Sequence, residues 1–258
     1  MSPTIPDSHA PAFADDFNAP ALDTSRWLPL YLPHWSSPEF AAPRYAIADG
    51  CLTLRIDPDQ PPWCREYDGA VKCSAVQTGH FAGALGSSLG QHRFREQLAV
   101  RSELPNRRLY VPHYARFEML AKADIGPSNL IALYTLGYED RPEQSGEITI
   151  MEVFGTGIDK DGTRLGHGIK PIHDPILRHE FYDAPLPFDV ADWHVYAAEW
   201  TASGVEFLLD GAVLHRTTQS PSYPMQLMLT LYELPGIEAP PRATPATFSI
   251  DYLRAWER

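Results

Sequence analysis

Two glutamates lie five residues apart in a short segment bounded by glycines, Gly146-Glu147-Ile148-Thr149-Ile150-Met151-Glu152-Val153-Phe154-Gly155. Its β-branched and large apolar residues predict a strand. Strict alternation would put Glu152 on the side of Ile148 and Ile150, inside the core, where an unpaired carboxylate is costly. A one-residue bulge near Met151 returns Glu152 to the face of Glu147, and bulges often re-aim side chains beside active sites. The segment therefore offers two carboxylates to one surface.

Paired carboxyl groups of this kind suit acid–base catalysis, in which one group donates a proton and the other acts as a base or a nucleophile. A helix is a poorer interpretation, because a spacing of five residues separates Glu147 and Glu152 by roughly 140° around a helix axis. Two solvated surface glutamates remain the alternative to a catalytic pair. The strand pattern alone leaves both interpretations open.

The composition indicates an all-β protein in which many short strands position this pair. The chain has 258 residues with 25 prolines and 17 glycines, and its apolar residues show almost no helical periodicity. Many short strands separated by turns predict a β-sandwich, and one all-β domain of this length is common. We expect a flexible N-terminal segment at 1–12 and a single domain at 13–258.

The predicted strands lie at 51–56, 75–78, 114–122, 130–136, 147–154, 194–200, 205–210, 213–217, 225–232 and 247–256. Residues 155–192 are predicted to be a long irregular segment. Three aromatic residues, Tyr196, Trp200 and Phe207, are assigned to the core. The dipeptide Asp210-Gly211 predicts a tight hairpin turn.

Charge and targeting features narrow the classes of partner. A formal net charge of −12 argues against nucleic acid and against an anionic membrane surface, and favours a neutral ligand. We expect a monomer. No basic and apolar leader is visible, which predicts a cytoplasmic protein, with secretion the alternative if a leader has been removed. The odd count of cysteines favours free thiols, and a disulfide between Cys64 and Cys73 is left open.

The segment from Gly146 to Glu152 resembles the Gly-Glu-Ile-Asp-Ile-Met-Glu signature of glycoside hydrolase family 16, the laminarinase-like and β-glucanase-like enzymes. Further segments resemble the family's strands in the same order, and they lie at 15–27, 114–122, 133–137, 194–201, 205–211, 224–232 and 251–254. The resemblance covers the chain from about residue 13 to its end. It implies a concanavalin A-like jelly roll, a sandwich of two antiparallel sheets with a concave carbohydrate cleft.

The same resemblance implies the catalytic roles. Glu147 matches the nucleophile and Glu152 the general acid/base of a retaining glycosidase, in which the two carboxyl groups lie about 5–5.5 Å apart. Thr149 stands where the family has an aspartate between the two glutamates, and it can donate a hydrogen bond but supplies no charge. Positions near the cleft of the family predict sugar contacts from Tyr134, Arg141, His173, Gln226, Thr230 and Tyr232.

Parity supports part of that set, because Gln226, Thr230 and Tyr232 share one face of their predicted strand. No cofactor is expected to be required. Gly50 and Asp251 match a structural Ca²⁺ site found in many relatives, but two ligands are too few to predict a metal.

By resemblance, the default function is hydrolysis of a β-glycosidic bond in a poly- or oligosaccharide, with β-glucan as the substrate. Two alternatives are left open, and the first follows from the replacement at Thr149. One is a carbohydrate-binding protein without turnover, and the other is a transglycosylase.

Overall fold

A computed structural model describes residues 10–238, 242 and 244–258. Most of the predicted flexible segment 1–12 lies outside these residues, and residues 10–12 lead directly into the first strand. The strands are β1 (Phe13–Asp15), β2 (Arg44–Ala48), β3 (Cys51–Ile56), β4 (Lys72–Gln77), β5 (Gly79–His80), β6 (Arg107–Arg108), β7 (Ala115–Asp124), β8 (Asn129–Gly137), β9 (Glu147–Phe154), β10 (Ile158–Asp159), β11 (Gly162–Lys170), β12 (Glu180–Leu186), β13 (His194–Thr201), β14 (Gly204–Leu209), β15 (Ala212–Thr217), β16 (Met225–Glu233) and β17 (Ala246–Glu257).

Helical structure within the described residues is confined to single turns. Two are α-helical, α1 (Pro38–Ala41) and α2 (Arg65–Asp68), and two are 3₁₀ turns at Pro33–Trp35 and Gly155–Gly157. No described helix has the length and apolar character needed to cross a membrane.

Two large antiparallel sheets face each other. The eight-stranded sheet has the order β15-β14-β13-β7-β17-β3-β2, with β1 also paired to β17. The seven-stranded sheet has the order β10-β11-β9-β8-β16-β4, with β12 paired to β11. This arrangement is the two-sheet jelly roll that the sequence predicted.

The core between the sheets follows from alternation along the strands. In β7, Phe117, Met119 and Ala121 are fully buried while the residues between them are half-buried. In β16, Leu227 and Leu229 enter the same core from the opposite sheet. Tyr196, Trp200 and Phe207 also lie in this core, as predicted.

A second apolar cluster covers part of the outer face of the seven-stranded sheet. This outer cluster consists of Tyr31, Leu32, Trp35, Trp63, Cys64, Cys73, Ala75, Leu98, Val100, Ala132, Tyr134, Leu136 and Met228. It joins side chains of β4, β8 and β16 to the loops that precede β2 and β4 and to the long loop between β5 and β6. The outer face beside it, over β9 and β11, is where the cleft described below lies.

The prediction of an irregular segment at 155–192 was wrong, because this segment contains β10, β11 and β12. Glycine is depleted in strands because it has no side chain to pack, and β11 holds Gly162, Gly166 and Gly168. All three positions approach β12 too closely for a side chain, and a Cβ on Gly162, whose φ is +145°, would meet the carbonyl oxygen of Leu186 at 2.1 Å. A Cβ on Gly168, whose φ is +145°, would meet the carbonyl oxygen of Glu180 at 2.2 Å, and a Cβ on Gly166 would meet the ring of Phe181 at 2.8 Å. The close approach of β12 therefore requires these glycines, and the glycines weaken the strand signal in the sequence.

Candidate active site

A bulge in β9 places both glutamates on the outer face. Leu133 of β8 pairs with Met151 and the next residue, Tyr134, pairs with Thr149, so Ile150 is the extra residue of the bulge. The pairing with β11 shifts at the same point. The predicted bulge near Met151 is confirmed.

The side chains of β9 divide between the two faces accordingly. Ile148, Ile150 and Val153 lie in the core between the sheets. On the other face, Glu147 and Glu152 border one cleft. Strict alternation would have buried the carboxylate of Glu152 in the core, and the bulge keeps it outside.

Lys170, at the end of β11, joins the two carboxylates. It pairs in register with Glu147, and its ammonium Nζ lies 3.1 Å from Glu147 Oε1 and 2.9 Å from Glu152 Oε2. These contacts limit the separation of the two carboxylate oxygens to about 6 Å. The ammonium of Lys170 lies over the ring of Phe181 of β12, with Nζ 4.7 Å from the ring centroid. Lys170 was not predicted as a site residue from the sequence, because no strand was predicted in this segment.

Thr149 supplies a second hydrogen bond to the same oxygen of Glu147. Its hydroxyl Oγ1 donates to Glu147 Oε1 at 2.5 Å, and the Thr149 side chain is fully buried. Glu147 Oε1 is thus oriented by a hydroxyl from its own strand and an ammonium from β11. The donor role expected for Thr149 is present in the structure.

Burial and neighbouring charges set the proton affinities of Glu152 and Lys170. Burial raises the pKa of Glu152 above its ordinary value, Lys170 opposes that shift, and the charges of Glu147 and Asp183 add to it. Burial lowers the pKa of Lys170, but the two carboxylates outweigh burial and leave that pKa raised. Lys170 is therefore cationic at neutral pH, and Glu152 holds its proton more strongly than an exposed glutamate does.

The cleft has a volume of about 310 Å³, at the small end of the usual range for ligand sites. Its walls come from α2, β8, β9, β11 and the end of β16, and the lining residues are Asp68, Val71, His92, Leu130, Ala132, Tyr134, Glu147, Glu152, Lys170, Ile172, Tyr232 and Leu234. The lining combines apolar and aromatic surface with a few charged groups.

His92 is a cleft residue that sequence reasoning missed, because it lies in a loop with no recognisable pattern. It has a left-handed backbone with a φ of 51°. Its amide donates to the carboxylate Oε1 of Glu139 at 2.7 Å. Burial lowers the pKa of the His92 imidazole, which the charge of Glu147 partly offsets.

The predicted sugar-contacting residues fall into three groups. Tyr134 and Tyr232 line the cleft with their hydroxyl oxygens 3.3 Å apart. Gln226 and Thr230 lie on the predicted face of β16 but are fully buried. The amide of Gln226 contacts Gln91 at 2.9 Å, and the hydroxyl of Thr230 donates to the carbonyl of Ala132 at 3.4 Å.

Arg141 and His173 make up the third group, and both are exposed on loops. The backbone amide of His173 donates to the hydroxyl of Ser145 at 2.9 Å, and its ring Nε2 lies 2.8 Å from the carbonyl oxygen of Arg93. Neither residue lines the cleft.

The calcium candidates lie on the eight-stranded sheet. Gly50 forms the turn between β2 and β3, and Asp251 lies at the register shift of β17, close to Cys51. The described residues hold no group of three or more His, Cys, Asp or Glu side chains arranged for a metal. The three cysteines are free thiols in the structure, and Cys64 and Cys73 both lie in the outer cluster.

Comparison with known proteins identifies a family. The model of the glycosyl hydrolases family 16 matches residues 107–254. The solved GlcNAcα1-4Gal releasing endo-β-galactosidase from Clostridium perfringens is 30% identical, with a TM-score of 0.82 over 96% of this chain and 62% of that chain. This chain therefore spans less than two thirds of that protein. No curated protein sequence gives a significant match.

Two laminarinases share the fold at lower identity. The enzyme from Flavobacterium sp. UMI-01 is 16% identical, with a TM-score of 0.66 over 96% of this chain and 100% of that chain. The catalytic domain of an endo-1,3-β-glucanase from Thermotoga petrophila RKU-1 is 18% identical, with a TM-score of 0.64 over 96% of this chain and 97% of that chain.

Proposed function

The chain belongs to the glycosyl hydrolases of family 16, and from that premise we propose that it hydrolyses β-glycosidic bonds in a poly- or oligosaccharide with retention of configuration. The observation that carries the proposal is the pair Glu147 and Glu152 around Lys170. Their facing oxygens are within about 6 Å of each other. Carboxyl groups about 5–5.5 Å apart favour a retaining mechanism, whereas inverting enzymes need about 6.5–9.5 Å to admit a water molecule.

In the proposed mechanism, Glu147 is the nucleophile. Its Oε1 is fixed by the hydrogen bonds from Thr149 and Lys170, which leaves the other oxygen to attack the anomeric carbon. Glu152 gives its proton to the leaving glycosidic oxygen as that bond breaks. Glu152 then takes a proton from water, and the water oxygen displaces Glu147 from the anomeric carbon. The burial that raises the pKa of Glu152 suits it to the role of acid.

For the substrate, we favour an internal β-galactosidic bond over the default β-glucan. The C. perfringens protein that releases GlcNAcα1-4Gal is 30% identical over almost the whole chain. The laminarinases are 16% and 18% identical, so their likeness supports the fold and not the substrate. No step of this mechanism needs a cofactor.

Glu147→Gln is expected to lower turnover by at least about a thousandfold, because the amide is not a nucleophile. Sugar release from a glycan that carries β-linked GlcNAcα1-4Gal and from laminarin would be measured, with ligand binding followed by calorimetry. Glu143→Gln is the matched control, since Glu143 is an exposed glutamate on the loop before β9. It should leave turnover unchanged, and full turnover in Glu147→Gln would refute the assignment.

The stereochemical course separates the alternatives. Proton NMR of the first product should show the β-anomer before mutarotation, and an α-anomer would exclude the retaining mechanism. A wild-type protein that binds one of these glycans but releases no sugar from either would be a binding protein. Products longer than the substrate would identify a transglycosylase.

A further inference from the structure

The negative charge of a retaining glycosidase moves between its two carboxyl groups during each cycle. Before cleavage, Glu147 is ionised and Glu152 is protonated. After cleavage, Glu147 is esterified to the sugar and Glu152 is the anion. One elementary charge thus passes from one side chain to the other, and a fixed cation between them would face an anion in both states.

We propose that Lys170 is a positioning residue that pairs with Glu147 before the glycosidic bond breaks and with Glu152 afterwards, so that the site stays electrically balanced through the cycle. The inference rests on the proposed function. Its geometric basis is the placement of one ammonium 3.1 Å from Glu147 Oε1 and 2.9 Å from Glu152 Oε2. Both distances are within hydrogen-bonding range without any movement of the lysine.

The surroundings hold Lys170 in that position. Its backbone is fixed by pairing with β9, and the ring of Phe181 lies beside the ammonium at 4.7 Å. Only 23% of its side chain is exposed. A lysine restrained in this way keeps its charge between the two carboxylates instead of extending into solvent.

The two glutamates depend on Lys170 unequally. Glu147 also accepts the hydrogen bond from Thr149. Within the described part of the chain, the carboxylate of Glu152 receives a hydrogen bond from Lys170 alone. Loss of the ammonium would leave an ionised Glu152 without a donor in a largely buried site, which is costly. The step that needs Glu152 as an anion should therefore suffer most.

The other charged groups around the site do not replace the lysine. Asp183 of β12 and Glu147 both act on Glu152 with the sign opposite to that of Lys170. His92 faces Glu147 and Lys170 from the cleft wall, and burial lowers the pKa of its imidazole. Asp68 lines the cleft from α2 and adds another negative charge. Lys170 is the cation that balances these groups at neutral pH.

The test compares wild type with Lys170→Met, which keeps the length of the stem, and Lys170→Arg, which keeps the charge. Glu152 would be titrated by carbon NMR of glutamate-labelled protein and assigned with Glu152→Gln. We expect its titration midpoint to rise in Lys170→Met and to stay near wild type in Lys170→Arg. Near-UV circular dichroism would establish that each variant is folded. An unchanged midpoint in folded Lys170→Met would overturn the inference.

The second readout is the rate of hydrolysis of a 2,4-dinitrophenyl β-glycoside. The sugar of this substrate is the one that the wild-type protein releases. This leaving group needs no proton, so its first step is insensitive to Glu152. Lys170→Met should slow the hydrolysis of the glycosyl-enzyme by roughly tenfold or more and show a burst of dinitrophenol, while Lys170→Arg should not. Equal slowing of both steps would overturn the inference. A wild type that releases no sugar from any substrate would instead refute the proposed function, so the two failures are distinct.

Discussion

Thr149 stands where the resemblance to family 16 predicts an aspartate between the two glutamates. An aspartate there would add a negative charge beside Glu147, whereas the threonine hydroxyl donates a hydrogen bond at 2.5 Å without adding charge. In this chain the charge near the proposed nucleophile, Glu147, comes from Lys170, which ends a neighbouring strand. The threonine and the lysine together orient one oxygen of Glu147, so the proposed catalytic pair can be held without an aspartate.

Thr149→Val tests the hydroxyl at nearly constant volume. Removing a hydrogen bond to a charged group costs about 1.5–3 kcal/mol, so we expect kcat to fall by about tenfold or more with a smaller change in KM. Thr149→Ser is the matched control because it keeps the donor, and it should retain most of the activity. Equal kcat values in the valine and serine variants would show that the hydroxyl does not orient Glu147.

At the scale of elements, the bulge in β9 could be predicted from the sequence. The bulge was predictable because strict alternation would have buried the charge of Glu152, and a large energetic penalty makes a reliable signal. The register of β16 was also predictable, since Leu227 and Leu229 enter the core opposite Gln226 and Thr230. The burial of Gln226 was not predictable, because it depends on Gln91 from a loop 135 residues earlier in the chain.

The strand β11 was missed for a different physical reason. Its glycines accommodate the close approach of β12, a tertiary requirement that lowers the local strand signal. Lys170 ends this strand, so the error also hid a charged residue of the site. Alternation of Leu165, His167 and Ile169, all buried, was the signal that would have found it.

Gly168→Ala tests whether this close approach supports the site. The new Cβ would lie 2.2 Å from the backbone oxygen of Glu180 at a φ of +145°, so β11 and β12 must separate. We expect a loss of at least about 2 kcal/mol in the free energy of unfolding, since a clash with backbone adds to the strain. Activity should fall as well, because Lys170 lies two residues further along the strand. Urea denaturation and initial rates would measure both effects.

Gly211→Ala is the control for this substitution. Gly211 also has a positive φ, of +76°, but a Cβ there meets nothing within 4 Å. Strain alone should cost about 1 kcal/mol, and the rates should be unchanged. An equal loss of stability in the two variants would show that the approach of β12 is not the determining factor.

At the scale of the whole molecule, the sandwich divides its apolar groups between two places. The core between the sheets fixes the strands, and the outer cluster fixes the loops that border the cleft. Ionisable groups are buried in these loops and beside them, since His34, Glu139 and the strand residue His80 of β5 are all buried. Burial lowers the pKa of His34 to about 3 and of His80 to about 4, and it raises the pKa of Glu139 to about 8.

These buried groups predict a stability maximum near pH 6.5. Between about pH 4 and 6.5 the unfolded chain binds protons that the folded His34 and His80 do not bind, so stability rises with pH. Between pH 4.5 and about 8 the folded protein keeps the proton of Glu139 that the unfolded chain has lost, so this group makes stability fall with pH. Above pH 6.5 the histidine contribution is complete, and the fall should dominate.

Glu139→Gln isolates the falling limb. The amide oxygen of glutamine can still accept the hydrogen bond from the amide of His92, but it carries no proton to lose. In wild type the free energy of unfolding should drop by about 2 kcal/mol between pH 6.5 and 8. In Glu139→Gln the drop should be much smaller, and Glu152, whose pKa is also raised by burial, contributes to what remains. Urea denaturation at pH 5.5, 6.5 and 8 would measure this, with Glu143→Gln, which alters an exposed glutamate, as the control. A drop in Glu139→Gln as large as in wild type would assign the falling limb to other groups.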